Sequence, residues 1–205
     1  MLPLALALAT EEPPPTELVA VWFSRDTKYA AVETRWVLDG PGFPVARITV
    51  FDIATGAVTQ TFDATLREAE ASKGLEGASA AVRASAADTF ARDGIDLAKP
   101  VAGVACEGDQ CGQGSGCVRS GTSVSLVATP VTGELCPANW TGETVAVSVD
   151  NRAWTLAAER PACARAFVAD GLYLSNKAAV AILAFSVPGH EGPAERFLPV
   201  AGTLP

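Results

Sequence analysis

The chain has 205 residues, 49% of them hydrophobic and 19% charged, which is enough for a real core and too apolar for a disordered chain. Fifteen basic residues against 23 acidic ones leave a net charge of −8, without the basic footprint that nucleic acid requires. His190 is the only histidine, so a two-histidine metal site is excluded, and no apolar run reaches the roughly 18–20 residues that span a bilayer.

Residues 2–9 read LPLALALA and end in Ala7-Leu8-Ala9, the small-x-small pattern that precedes signal-peptide cleavage. Residues 1–9 therefore read as a short or truncated signal peptide; a frayed apolar tail is the alternative. TEEPPPTE over 10–17 reads as a Pro-rich linker, followed by a single secreted domain over 18–205. Its expected class is α+β, mainly antiparallel β hairpins with one helical segment packed on them.

Leu18–Phe23 is an apolar strand run, and Ser24–Thr27 is a turn whose Ser and Asp can bond their own backbone. Tyr29–Leu38 is a second strand, followed by the loop DGPGFP over 39–44. Ala46–Ile53 alternates, with Ile48, Val50 and Asp52 on one face against Thr49, Phe51 and Ile53. Ala54-Thr55-Gly56 turns the chain, and Val58–Phe62 returns.

From Leu66 to Arg92 Ala, Glu, Arg and Ser dominate and β-branched residues almost vanish. Leu75, Ser79, Val82, Ala86 and Phe90 form one helical stripe. Gly74 and Gly77 are expected to divide the segment into two helices, and Gly94 to cap its end. β patterning resumes at Ser123–Ala128. Val145, Val147 and Val149, the turn Asp150-Asn151-Arg152 and Ala153–Leu156 make the clearest hairpin. Ala178–Val187 is almost continuously apolar and bounded by Pro188-Gly189, so it reads as a strand rather than a buried helix. Arg196–Val200 is a short strand that Pro199 places at a sheet edge. A weak echo relates 30–56 to 178–202, each a strand, a Pro-Gly loop and a strand, as if two hairpins formed the halves of one sheet.

The five cysteines all lie in the second half. Cys106, Cys111 and Cys117 fall in the Gly-rich CEGDQCGQGSGC, whose spacings do not match zinc pairs. A disulfide between two of them, free or intermolecular thiols, and a metal site stay open. Cys136 and Cys163 flank the predicted hairpin, fifteen and twelve residues from Asn151. Folding the hairpin brings its flanks together, so these two are expected to pair. An odd count leaves one thiol over.

Three strings carry a family resemblance. Phe23, Ser24, Asp26, Tyr29, Ala31 and Glu33 give F-S-x-D-x-x-Y-x-A-x-E; Asp39–Pro44 gives D-G-x-G-F-P, with I-x-V-x-D at Ile48, Val50 and Asp52; and Pro188–Phe197 gives P-G-x-E-G-P-x-x-R-F. The chain resembles the bacterial secreted proteins grouped as domain of unknown function 2259 over roughly 20–100 and 130–202. Its first part also resembles one blade of the TolB-type WD40-like propellers, although one blade cannot close a propeller. The resemblance implies export and a shared fold and brings no activity. CEGDQCGQGSGC departs from the pattern.

No G-x-S-x-G elbow is present. Glu33 and Asp52 are the carboxylates that would have to meet in an acid-base pair; the plainer reading has Glu33 paired with Arg35 or Arg47 and Asp52 capping its turn. His190, beside Glu191 in a Gly-Pro-framed loop, is the remaining acid-base candidate. Trp22 and Trp154 are expected in the core, Trp36 and Trp140 partly exposed. The candidate ligand surface is Trp36, Phe43, His190 and Glu191. The sequence thus favours an exported cell-envelope module that binds or supports an envelope partner or ligand without catalysis, cofactor or metal. An envelope hydrolase using Glu33 and Asp52, or His190, is the alternative.

Overall fold

The computed structural model describes residues 17–38, 41–105, 118–119, 122–137, 140–154, 162–189 and 192–204. Three antiparallel sheets stack face to face, and one helix covers the outer face of the first. Sheet I takes β1 (Glu17–Phe23), β2 (Tyr29–Val37), β3 (Pro44–Asp52) and β4 (Val58–Thr65) in chain order. Glu68–Lys73 forms a 3-10 turn that leads into α1 (Gly74–Asp93). Sheet III is β6 (Val118–Arg119), β7 (Thr122–Pro130), β8 (Glu143–Val149) and β9 (Arg152–Trp154). Sheet II lies between them in the order β12-β11-β10-β5, from β5 (Val104–Ala105), β10 (Arg165–Ser175), β11 (Ala178–Gly189) and β12 (Gly192–Thr203).

Both faces of β3 are buried, so both of its alternating sets of side chains carry apolar residues. Ile48 and Val50 pack with Trp22, Ala31 and helix residues Val82 and Phe90. Phe51 and Ile53 pack with Val21, Val32 and, from sheet II, Val180 and Ile182. The opposite face of β11, with Leu183 and Phe185, joins Val147 and Leu126 of sheet III. A strand in the middle layer has no water-facing side, so β11 is nearly uninterrupted apolar sequence.

Several expectations are corrected. The helical segment breaks at Gly74 alone, where φ is +64°. Gly77 stays inside α1, where a Cβ would run into the side chain of Lys73 and lie 3.0 Å from Leu66 Cδ1. This glycine therefore serves close approach and not chain reversal. The buried stripe is Ala78, Ser79, Val82, Ala86, Thr89 and Phe90, with Leu75 only partly covered. Strand β10 has no counterpart in the sequence pattern; its Ala169-Asp170-Gly171 is carried as a register shift within the pairing to β11. β12 extends well past Arg196–Val200 and keeps its edge position. Trp154 is only partly buried; its ring lies where a Cβ on Gly202 would stand. The two echoing hairpins, β2–β3 and β11–β12, sit in facing sheets and not in one.

The β8–β9 hairpin turns as expected. Asp150 (φ +47°) and Asn151 (φ +63°) both adopt the left-handed conformation of a two-residue turn, which short polar side chains tolerate best. Asp150 Oδ1 accepts the Ser123 N–H at 2.7 Å and ties the turn to β7.

Candidate functional site

Trp36 is half-buried on β2, its ring beneath the Arg47 guanidinium at 5.5 Å. Its indole nitrogen is buried without a hydrogen-bond partner. Phe43 is half-buried, and its carbonyl accepts the Leu38 N–H at 2.9 Å. His190 and Glu191 lie outside the described residues, as do Cys106, Cys111 and Cys117.

Glu33 and Asp52 do not come together. Their register places Glu33 opposite Ile48 and Asp52 opposite Tyr29. The two share a face but stand four residues apart along the ladder, about 13 Å at ~3.3 Å per residue, with Val50 and Ala31 between them. Inverting and retaining glycosidases need about 5–9.5 Å. Asp52 instead caps its turn, its Oδ1 accepting the Thr55 N–H and hydroxyl at 2.9 Å each.

Glu33 is fully buried under α1. It pairs with neither Arg35 nor Arg47; its Oε2 accepts from Arg83 Nε of the helix at 2.7 Å. Arg83 lies over the Trp22 ring at 5.6 Å. Arg35 forks onto Glu17 and also reaches Glu76 of α1, and Arg47 pairs with Asp63. The Glu17 carboxyl is held below its usual range by the hydrogen bond from Arg35. Helix and sheet are thus joined by two ion pairs beside a thin apolar seat. Glu33 Oε1 and Ser79 Oγ in that seat have no partner.

Cys136 and Cys163 are joined, with Cα atoms 5.6 Å apart. The bridge does more than close the two flanks of a hairpin. It fastens the β7–β8 connection of sheet III to the entry of β10 in sheet II. Around it, the Trp140 indole donates to the Cys163 carbonyl, Arg165 stacks on the Trp140 ring at 3.5 Å, and Glu143 accepts the Ala166 N–H at 2.9 Å. Among the described residues, Glu134, Cys136 and Cys163 are the only three metal-capable side chains that cluster. With the sulfurs bonded to each other, only the Glu134 carboxylate remains.

A cavity of about 400 Å³ opens at the C-terminal end of α1. Phe90, Ile95 and Leu97 give its apolar wall, Ala87 and Ala91 the helix side, and Arg25 and Asp96 the charged ends. Two turns distant in sequence meet to build it. Gly94 takes φ +70°, its N–H returning to the Phe90 carbonyl. Its own carbonyl accepts the Arg25 N–H at 3.1 Å, and Ser24 bridges to Ile95. The Ser24–Thr27 turn is held by Ser24 Oγ donating to Asp26 at 2.7 Å, so Arg25 is presented at the mouth. Asp96 takes the Ala98 N–H and the Lys99 ammonium, each at 3.1 Å. Its carboxyl is held below the usual range chiefly by the Lys99 hydrogen bond, with Arg25 adding a weaker attraction. Sequence reasoning read 24–27 and 93–94 only as turn and cap; that the two meet depends on the Ser24–Ile95 bridge, a long-range contact without a local signal.

The chain matches no family model, no curated protein and no solved structure. Among the described residues no helix is long and apolar enough to cross a membrane.

Proposed function

We propose that the protein is an exported cell-envelope module that acts by binding or supporting a partner, without catalysis. The observation that carries this reading is the Cys136–Cys163 disulfide, which persists in an oxidising compartment and not in a reducing cytosol. The apolar run ending in Ala7-Leu8-Ala9 supports export, as does the resemblance of Phe23–Glu33, Asp39–Pro44 and Pro188–Phe197 to secreted proteins of domain of unknown function 2259. A binding role is supported by a cavity within the 300–1,000 Å³ of ligand sites and by the separation of Glu33 from Asp52.

Cell fractionation with peptide mapping under non-reducing conditions tests the reading. The envelope or extracellular fraction should hold a chain that begins near Thr10, with the Cys136 and Cys163 peptides linked. Cytosolic protein with an intact Met1 and both cysteines alkylated would overturn it.

A further inference from the structure

We propose that the free edge of β4 pairs with the same edge of a second copy of this chain, joining two copies of sheet I into one continuous antiparallel sheet across a two-fold axis. This goes beyond the envelope reading and does not depend on it.

An open sheet edge is a template for strand pairing, and β proteins blunt it with prolines, short strands, charges or covering chain. Among the described residues, every other sheet edge is treated in one of these ways. Along β1 the Val101 N–H reaches the Val21 carbonyl at 2.8 Å and the Trp22 indole reaches the Leu97 carbonyl at 3.2 Å. β12 carries Pro193 and Pro199, and β5, β6 and β9 are two or three residues long. β4, VTQTFDAT, runs for eight residues without Pro, Gly or Lys, and no described strand pairs with its outer side. Its one charge, Asp63, is engaged by Arg47 at 2.6 Å. The register shift lies at its entry, between Val58 and Gln60, and leaves 60–65 regular.

The ladder fixes which groups face outward. The Leu66 N–H bonds to the Pro44 carbonyl at 3.0 Å, and hydrogen-bonded pairs alternate along an antiparallel ladder. Ala64, Phe62 and Gln60 therefore turn their backbone groups to Ala46, Ile48 and Val50. Thr61, Asp63 and Thr65 turn theirs to the open side, and all three are exposed. Antiparallel pairing of β4 with itself must match outward-facing residues. Setting Asp63 against Asp63 puts like charges opposite each other, which is destabilising. Setting Thr61 against Thr61 runs the pairing into the irregular entry and the turn before it. Setting Phe62 on the axis avoids both. Thr61 and Asp63 then exchange backbone hydrogen bonds with Asp63 and Thr61 of the second copy, the Thr61 hydroxyl faces a carboxylate, and the two Phe62 rings meet as a close non-hydrogen-bonded pair. The helices leave room: α1 packs over Ile48 and Val50 of β3, so the two copies of α1 stand three strand spacings apart. That is about 14 Å, beyond the 8–10 Å of packed helices.

Sedimentation equilibrium of the full chain tests this, with a concentration-dependent dimer as the expected result. Thr61→Pro removes only an outward N–H, so the intrachain ladder stays intact while each copy loses an interface donor; it should weaken the dimer ~10-fold or more. Thr61→Ala keeps the N–H and should leave the dimer nearly unchanged. Hydrogen exchange of the unaltered chain decides the matter if Thr61→Pro alters the fold. Raising the protein concentration should slow exchange at Thr61, Asp63 and Thr65, whereas Phe62 and Ala64 stay protected at every concentration. A chain that remains monomeric to ~1 mM would overturn the proposal. So would a dimer that a folded Thr61→Pro leaves unchanged, or one that forms without the alternating protection in β4, since either places the contact on another surface.

Discussion

At the scale of single residues, the interface between α1 and sheet I is unusual in what it buries. Glu33 is completely enclosed and has one partner, Arg83, itself 39% exposed. Removing Arg83 leaves a carboxylate in an apolar seat, which costs far more than the pair contributes. Arg83→Met should lower unfolding free energy by about 3 kcal/mol in urea titration. The double variant Glu33→Leu, Arg83→Met should recover most of that loss; no recovery would mean that Arg83 acts through its packing on Trp22. A neighbouring ion pair within sheet I, Glu17–Arg35, titrates. Because Arg35 holds Glu17 below its usual value of 4.5, the folded form is favoured when Glu17 is ionised. That contribution is complete above about pH 4.5 and is lost as pH falls through the lower folded value. Glu17 is half-exposed, so the effect is small, about 0–1 kcal/mol. Glu17→Gln should lose that stability at pH 7 and match the parent at pH 3 in thermal melts.

At the scale of elements, local pattern and layer position decide what the sequence discloses. β1, β2, β3, α1, the β8–β9 turn and β11 were legible because apolar runs, turn residues and helical spacing coincide in them. β10 was hidden because its register shift places Asp170-Gly171, a turn signature, inside a strand. The Glu33–Arg83 pair was hidden because partners 50 residues apart meet only once the helix lies on the sheet. Neither the cavity nor the Arg25–Gly94 hydrogen bond has a local signature for the same reason. Gly77 was legible as an anomaly but misread as a break. Helix propensity favours alanine over glycine by about 1 kcal/mol, so a solvent-facing Gly77→Ala would stabilise α1. Here the new methyl meets Lys73 and Leu66, and overpacking of this kind costs about 1–3 kcal/mol. Contact wins, and Gly77→Ala should lower the melting temperature; a rise would show that the α1 entry shifts freely.

At the scale of the molecule, the layers are joined unequally. Sheets I and II share the cluster around Phe51, Val180 and Ile182, and the chain passes from α1 to β5 along the flank of β1, where the Val101 N–H reaches the Val21 carbonyl at 2.8 Å. Sheet III leans on sheet II through Leu126, Val147, Leu183 and Phe185, with the disulfide as its covalent fastening. The bond links residues 27 apart, and closing a loop of that size constrains the unfolded chain by about 3.5 kcal/mol on the entropy model. That is a large share of the ~5–15 kcal/mol of a typical domain. Its position makes the loss local in origin, because the cross-link ties the β7–β8 connection to the start of β10. Mild reduction, or Cys136→Ala with Cys163→Ala, should therefore raise hydrogen exchange first in β7 and β8. Exchange in β2, β3 and α1 should change only at the global level. Uniform acceleration across all layers would show that the three sheets unfold as one unit and that the fastening stabilises the whole chain equally.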